Sequence, residues 1–156
     1  MTTFKTILDK YRKISFSEHD KGARFERLMQ AYLISDPQYA NRFKRVWLWN
    51  EFPGKSDLGG GDTGIDLVAL TVEGDYWAIQ CKFYAETALM DKSHIDSFIS
   101  TSGRTFHDED FRTRGFDGRL WISTTNKWGS NAEEAIKNQS PSVTRVNLEY
   151  LRAAGV

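Results

Sequence analysis

One cysteine, three prolines and no run of 18 apolar residues are what this 156-residue chain has least of. The lone thiol, Cys81, excludes an internal disulfide and fits a reducing compartment. Histidines are sparse too: His19, His94 and His107 are scattered and have no cysteine partners at zinc-site spacing. Without a long apolar run, or the apolar core of a signal peptide, the chain is expected to be soluble, cytoplasmic and free of membrane. Net charge is absent as well, with 21 basic residues against 21 acidic ones. That argues against a freestanding protein that grips nucleic acid by charge, though not against a module held on its substrate by other domains.

Aromatic bulk is plentiful. Five Trp and ten Phe contribute to 13% aromatic content, enough for one domain with a sizeable core. Apolar residues recur every three or four positions over Phe4–Ile14, and again at Phe25, Leu28, Met29, Tyr32 and Leu33. Two helices are predicted, the second over Lys21–Ile34 and ended by Asp36-Pro37. Arg45–Asn50 reads as a short strand, followed by a glycine-rich loop from Phe52 to Gly64. Strands are expected over Ile65–Val72, Tyr76–Phe83, Gly118–Thr125 and Ser142–Asn147, and helices over Lys92–Thr101 and Ser130–Gln139. Phe106–Asp117 reads as irregular. This order predicts an α/β fold in which an antiparallel start feeds strand–helix–strand units, giving a mixed sheet with helices on both faces. The last ten residues, Asn147–Val156, read as a connector cut short, so the chain is expected to be an N-terminal fragment of a longer polypeptide.

Two short strings carry the chemistry: Gly64-Ile65-Asp66 and, fourteen positions after the aspartate, Gln80-Cys81-Lys82. Glu73-Gly74-Asp75 lies between the two runs, with a glycine for the positive φ of a hairpin turn. Antiparallel pairing brings Asp66 alongside Gln80 and Lys82. Residues two apart share a face, so Gln80 and Lys82 project together while Trp77, Ile79, Cys81 and Phe83 point the other way. On spacing alone a plain amphipathic hairpin is the commoner source of such alternation. A carboxylate, an amide oxygen and an ammonium at one strand end are also what metal-assisted hydrolysis needs.

Four elements match a known pattern in order: Gly22-Ala23-Arg24-Phe25-Glu26, Gly64-Ile65-Asp66, Gln80-Cys81-Lys82 and Ser123-Thr124-Thr125. Together they resemble the PD-(D/E)xK nuclease superfamily in its Mrr-like branch, where Gln-x-Lys commonly replaces Asp/Glu-x-Lys. Ile95-Asp96-Ser97-Phe98 and Arg119–Trp128 add a closer resemblance to the N-terminal nuclease domain of single-polypeptide Type ISP restriction–modification enzymes. The resemblance covers nearly all of residues 1–156. It implies a restriction-endonuclease-like core and a Mg²⁺-dependent DNA endonuclease domain, with Mn²⁺ able to substitute. It also implies double-stranded DNA as partner, and a parent polypeptide with a helicase-like translocase, a methyltransferase and target-recognition domains. ATP is needed only by the translocase part.

Residue by residue, the resemblance makes Asp66 the principal metal ligand, completed by the Gln80 side chain or the Cys81 backbone carbonyl. Lys82 would orient the attacking water and stabilise the transition state. Glu26 would be an outer-shell or second-metal ligand; otherwise it is a solvated residue flanking a helix stripe. Asp62 reads better as turn chemistry than as a ligand. The glycines at 59, 60 and 61 precede no Gly-Lys-Ser/Thr, which argues against a nucleotide-binding P-loop. Thr124, Thr125 and Asn126 are candidates for phosphate contacts, as is a basic cluster of Arg42, Lys44 and Arg45. A second cluster, Arg112, Arg114 and Arg119, is offset by neighbouring acids. A catalytically silent docking module and a structure-specific nuclease such as a junction resolvase remain alternatives on the same fold.

Overall fold

The computed structural model describes residue 10 and residues 18–59, 64–83, 89–90, 92–125 and 127–146. The expected helix over Phe4–Ile14 therefore falls outside the described residues apart from Lys10, as do Asp62 and Asn126.

Helix α1 (Glu18–Ser35) starts three residues before the expected Lys21. Its stripe of Phe25, Met29, Tyr32 and Leu33 is buried, which is what holds it on the sheet. Asp36 stops it by starting another helix: its carboxylate accepts a bond from Gln38 N at 2.9 Å and caps α2 (Pro37–Ala40).

Strand β1 (Phe43–Leu48) ends two residues earlier than expected. The Glu51 carboxylate accepts from Leu48 N at 2.9 Å, and this cap turns Trp49–Glu51 into a 3₁₀ turn. A second 3₁₀ segment, Pro53–Leu58, occupies part of what the sequence suggested was loop.

The hairpin is as expected. β2 (Leu67–Thr71) and β3 (Tyr76–Lys82) pair antiparallel through a turn in which Gly74 has φ 96°. Then follow β4 (Leu89–Met90), α3 (Lys92–Ser102), β5 (Phe106–His107), β6 (Thr113–Arg114), β7 (Phe116–Ser123), β8 (Lys127–Trp128), α4 (Ser130–Ile136) and β9 (Val143–Val146). The span read as irregular, Phe106–Asp117, instead holds the β5–β6 hairpin and the start of β7. Asp108 closes that hairpin by accepting from the backbone N–H groups of both Asp110 and Arg112 at 2.9 Å.

The main sheet runs β1-β2-β3-β7-β9, antiparallel as far as β3 and parallel from β3 to β9. One apolar layer joins α1 to Ile79, Cys81, Leu120 and Ile122, with Trp77 and Phe83 packed against it. The other places Ala78 and Trp121 among Phe98 of α3 and Ala132 of α4. Trp77, Ile79, Cys81 and Phe83 thus share the α1 face, as the period of two requires. Among the described residues no helix is long and apolar enough to cross a membrane.

Candidate active site

Antiparallel β1–β2–β3 and parallel β3–β7 place one end of four strands together: the carboxyl ends of β1, β3 and β7 and the amino end of β2. Asp66 stands there, immediately before β2. Gly64 sets its approach with φ 76°. A Cβ on that glycine would lie 2.8 Å from the backbone nitrogen of Phe98, so only glycine lets the chain pass so close to α3.

Three hydrogen bonds of 2.9 Å then fix Asp66. Its N–H donates to Ile79 O, its carbonyl accepts from Trp49 N, and its Oδ2 accepts from Cys81 N. Two of these partners flank Gln80 on β3. Gln80 is 2% exposed, and its Oε1 is a buried acceptor with no hydrogen-bond partner in the structure. Lys82, half-buried, follows on the same strand, and its carbonyl accepts from Thr124 N at 3.1 Å.

Glu26 reaches the same place from α1. Burial, with the Asp66 carboxylate adding to it and Lys82 partly opposing it, pushes its pKa up to about 7. The two acids and the ammonium are therefore near enough to feel one another, and the geometry favours more than a solvated flank residue at position 26. The Cys81 thiol is buried and held well above its usual pKa, first by burial and then by Asp66 and Glu26. It stays protonated in the metal-free chain, and a hard divalent cation prefers oxygen, so its backbone carbonyl is the better donor.

This donor set fits a hard divalent cation. It is made of oxygens, and a buried amide oxygen without a partner is a group that a cation would satisfy. Among the described residues no three His, Cys, Asp or Glu are grouped to hold a metal.

The expected DNA-contact residues are not gathered in the same way. Thr124 and Thr125 lie beside Lys82, yet both are fully buried. Ser123 Oγ accepts from Thr125 N and Thr125 Oγ1 from Lys127 N, so these hydroxyls build the turn after β7. Arg42 and Lys44 are at the far end of β1, where Phe43 pairs with Thr71 and not with Leu67. That is roughly 16 Å along the strand from the acids. Arg42 lies over the Trp77 ring at 4.4 Å, and Arg45 over Trp47 at 5.1 Å. Arg119, grouped in the sequence with Arg112 and Arg114 as a basic cluster, is instead 3% exposed and donates to Ser102 Oγ, Pro141 O and Ile99 O. Asn126 is outside the described residues.

Sequence reasoning missed Trp49 and Asn50, which bend from β1 toward Asp66 and line a cleft with Glu26. Polar Asn-Glu after an apolar strand was the available signal for that turn.

An acid opening one strand and a lysine closing its antiparallel neighbour, in a mixed sheet with helices on both faces, form the restriction-endonuclease-like architecture. The chain belongs to the restriction endonuclease family: the Mrr_cat_2 family model, described as "Restriction endonuclease", matches residues 34–156. It is thus a nuclease-family domain. The matched span starts beyond Glu26, whose place rests on the geometry above. Among solved structures the chain is similar to the ATP-dependent Type ISP restriction–modification enzyme LlaBIII bound to DNA. The TM-score is 0.69 at 29% identity, over 97% of this chain and 8% of that one. No curated protein matches the chain.

Proposed function

We propose that the chain is a Mg²⁺-dependent DNA endonuclease domain, with Mn²⁺ able to substitute, working inside a larger ATP-dependent translocating restriction–modification enzyme. The observation that carries it is the convergence of Glu26, Asp66, the partnerless Gln80 oxygen and Lys82 on one end of the sheet. The multidomain setting is supported by the solved relative, of whose chain this one spans only 8%. In that setting residues 1–156 are one nuclease domain, its partners being double-stranded DNA and the translocase, methyltransferase and target-recognition parts. ATP serves the translocase.

Asp66 and Gln80 would hold the cation, with the Cys81 carbonyl and Glu26 completing its surroundings. The bound ion supplies charge neutralisation at phosphorus and a more acidic water. The protein does the rest. Asp66 is fixed by three backbone hydrogen bonds, so its carboxylate does not reorganise during the reaction. The Lys82 ammonium orients the attacking water and offsets the charge that gathers on the phosphorane oxygens. Glu26, with a pKa near neutrality, holds or releases a proton at its carboxyl as the local charge changes.

Cleavage of supercoiled plasmid DNA with Mg²⁺ or Mn²⁺ tests this. Asp66→Ala should lower the rate by about 10³-fold or more, the size of an effect expected from losing a principal electrostatic group. Retained cutting by that variant overturns the assignment.

A further inference from the structure

A cleft of about 240 Å³ opens beside Glu26, lined by Ala23, Glu26 and Arg27 of α1 and by Leu48, Trp49 and Asn50 beyond β1. Two exposed polar side chains line it without a protein partner: the Arg27 guanidinium and the Asn50 side-chain amide make no hydrogen bond or ion pair among the described residues. The buried Trp49 indole N–H has no acceptor either. Elsewhere the walls are pinned. Gln30 Nε2 donates to Val46 O at 3.0 Å, Glu51 caps Leu48, and Lys55 Nζ donates to Asn50 O at 2.6 Å. Trp49 N is itself tied to Asp66 O, so the cleft is rigidly joined to the acids.

A rigid pocket whose side chains offer donors, and whose one carboxylate belongs to the catalytic group, suits a ligand that brings acceptors. It is smaller than the ~300–1,000 Å³ of sites that enclose a whole small molecule. A piece of a polymer fits better. Arg27 presents a planar fork that matches phosphate oxygens, and an indole ring beside it offers a stacking surface.

Resting on the nuclease reading above, we propose that this cleft is the subsite for the nucleotide next to the scissile phosphate. Arg27 grips its phosphate, Asn50 donates to the same strand, and Trp49 packs against its sugar or base. The strand then runs along α1 and the Trp49–Glu51 turn, not across Thr124, Thr125 or the Arg42 end of β1.

The test separates binding from cutting. In an Asp66→Asn background, affinity for a short fluorescein-labelled duplex is measured by anisotropy across a salt series. Arg27→Ala should weaken binding about tenfold, as loss of a charge-assisted hydrogen bond does. It should also lower the slope of log K against log salt by about 1. Asn50→Ala should weaken binding with no change in slope, and Lys137→Ala, at the exposed residue just after α4, should change neither. Unaltered affinity and slope in Arg27→Ala overturn the subsite. So does a duplex that fails to bind the Asp66→Asn chain in a salt-dependent way. If Asp66→Asn still cuts, the nuclease reading fails instead. Both exposed positions leave the fold intact, which equal melting temperatures will verify.

Discussion

Glu26 is a cost to the protein when no cation is bound. Its carboxyl titrates at about 7 in the folded chain against 4.5 ordinarily, because burial and Asp66 both resist its charge. Between those pH values the unfolded chain has released this proton while the folded one retains it. Stability contributed at this position is therefore greatest below pH 4.5 and falls as pH rises through about 7. Glu26→Gln removes the titration. After discounting for partial exposure, the variant should be more stable than the parent at pH 8 by about 1–2 kcal/mol, with little difference at pH 4.5. Urea unfolding at the two pH values in chelator will show this. An offset between variant and parent that is the same at both would mean that Glu26 ionises normally.

At the level of elements, Arg119 shows how a strand's position in the sheet decides the fate of its polar residues. β7 lies between β3 and β9, covered on both faces, and its guanidinium spans the end of α3 and the segment before β9. Burial lowers its pKa from the usual guanidinium value, and three acceptors offset that cost. Arg119→Met should lose about 1–3 kcal/mol, since three hydrogen bonds go and the Pro141 carbonyl loses its arginine donor, while Ser102 Oγ and Ile99 O keep their bonds to each other and to Gly103 N. A loss under about 0.5 kcal/mol in denaturant unfolding, the level of an ordinary surface change, would contradict the clamp.

The same element explains what was legible in the sequence. The α1 stripe and the β2–Gly74–β3 hairpin could be read because each is decided locally, by spacing and by one glycine. Arg119, Thr124 and Thr125 could not, because their burial is decided by which strands flank β7. The nearly continuous apolar content of Leu120-Trp121-Ile122 was a signal of an interior parallel strand, where even polar side chains are buried. Arg42 and Lys44 were assigned to DNA by charge alone, and only the register of β1 on β2 shows which end they occupy. Of the candidate site, Asp66, Gln80 and Lys82 followed from hairpin geometry. Trp49 and Asn50 did not, because the 3₁₀ turn depends on a side-chain cap three residues away.

Across the whole molecule, the two ends of the sheet differ in chemistry. One gathers Glu26, Asp66, Gln80 and Lys82. The other holds a larger cleft, about 380 Å³, between Lys44 and Arg45 on one side and Asp108, Glu109 and Asp110 on the other, where positive and negative walls oppose each other. At the first end the Gln80 oxygen is a buried acceptor unmet among the described residues and Asp66 resists the charge of Glu26, so a cation bound there would offset both. Binding to the folded state alone adds stability by mass action: at ten times the dissociation constant, about 1.4 kcal/mol, or about 3–6 °C for a domain of this size. Gln80→Leu should respond in the opposite pattern. Without cation it should melt above the parent, because the unpaired oxygen, worth about 1–3 kcal/mol of desolvation, is gone. With Mg²⁺ or Mn²⁺ the parent should gain and the variant should not. If instead the variant melts lower in chelator and still gains on adding cation, the Gln80 oxygen is neither a burden to the free protein nor a ligand, and the cation must be held without it.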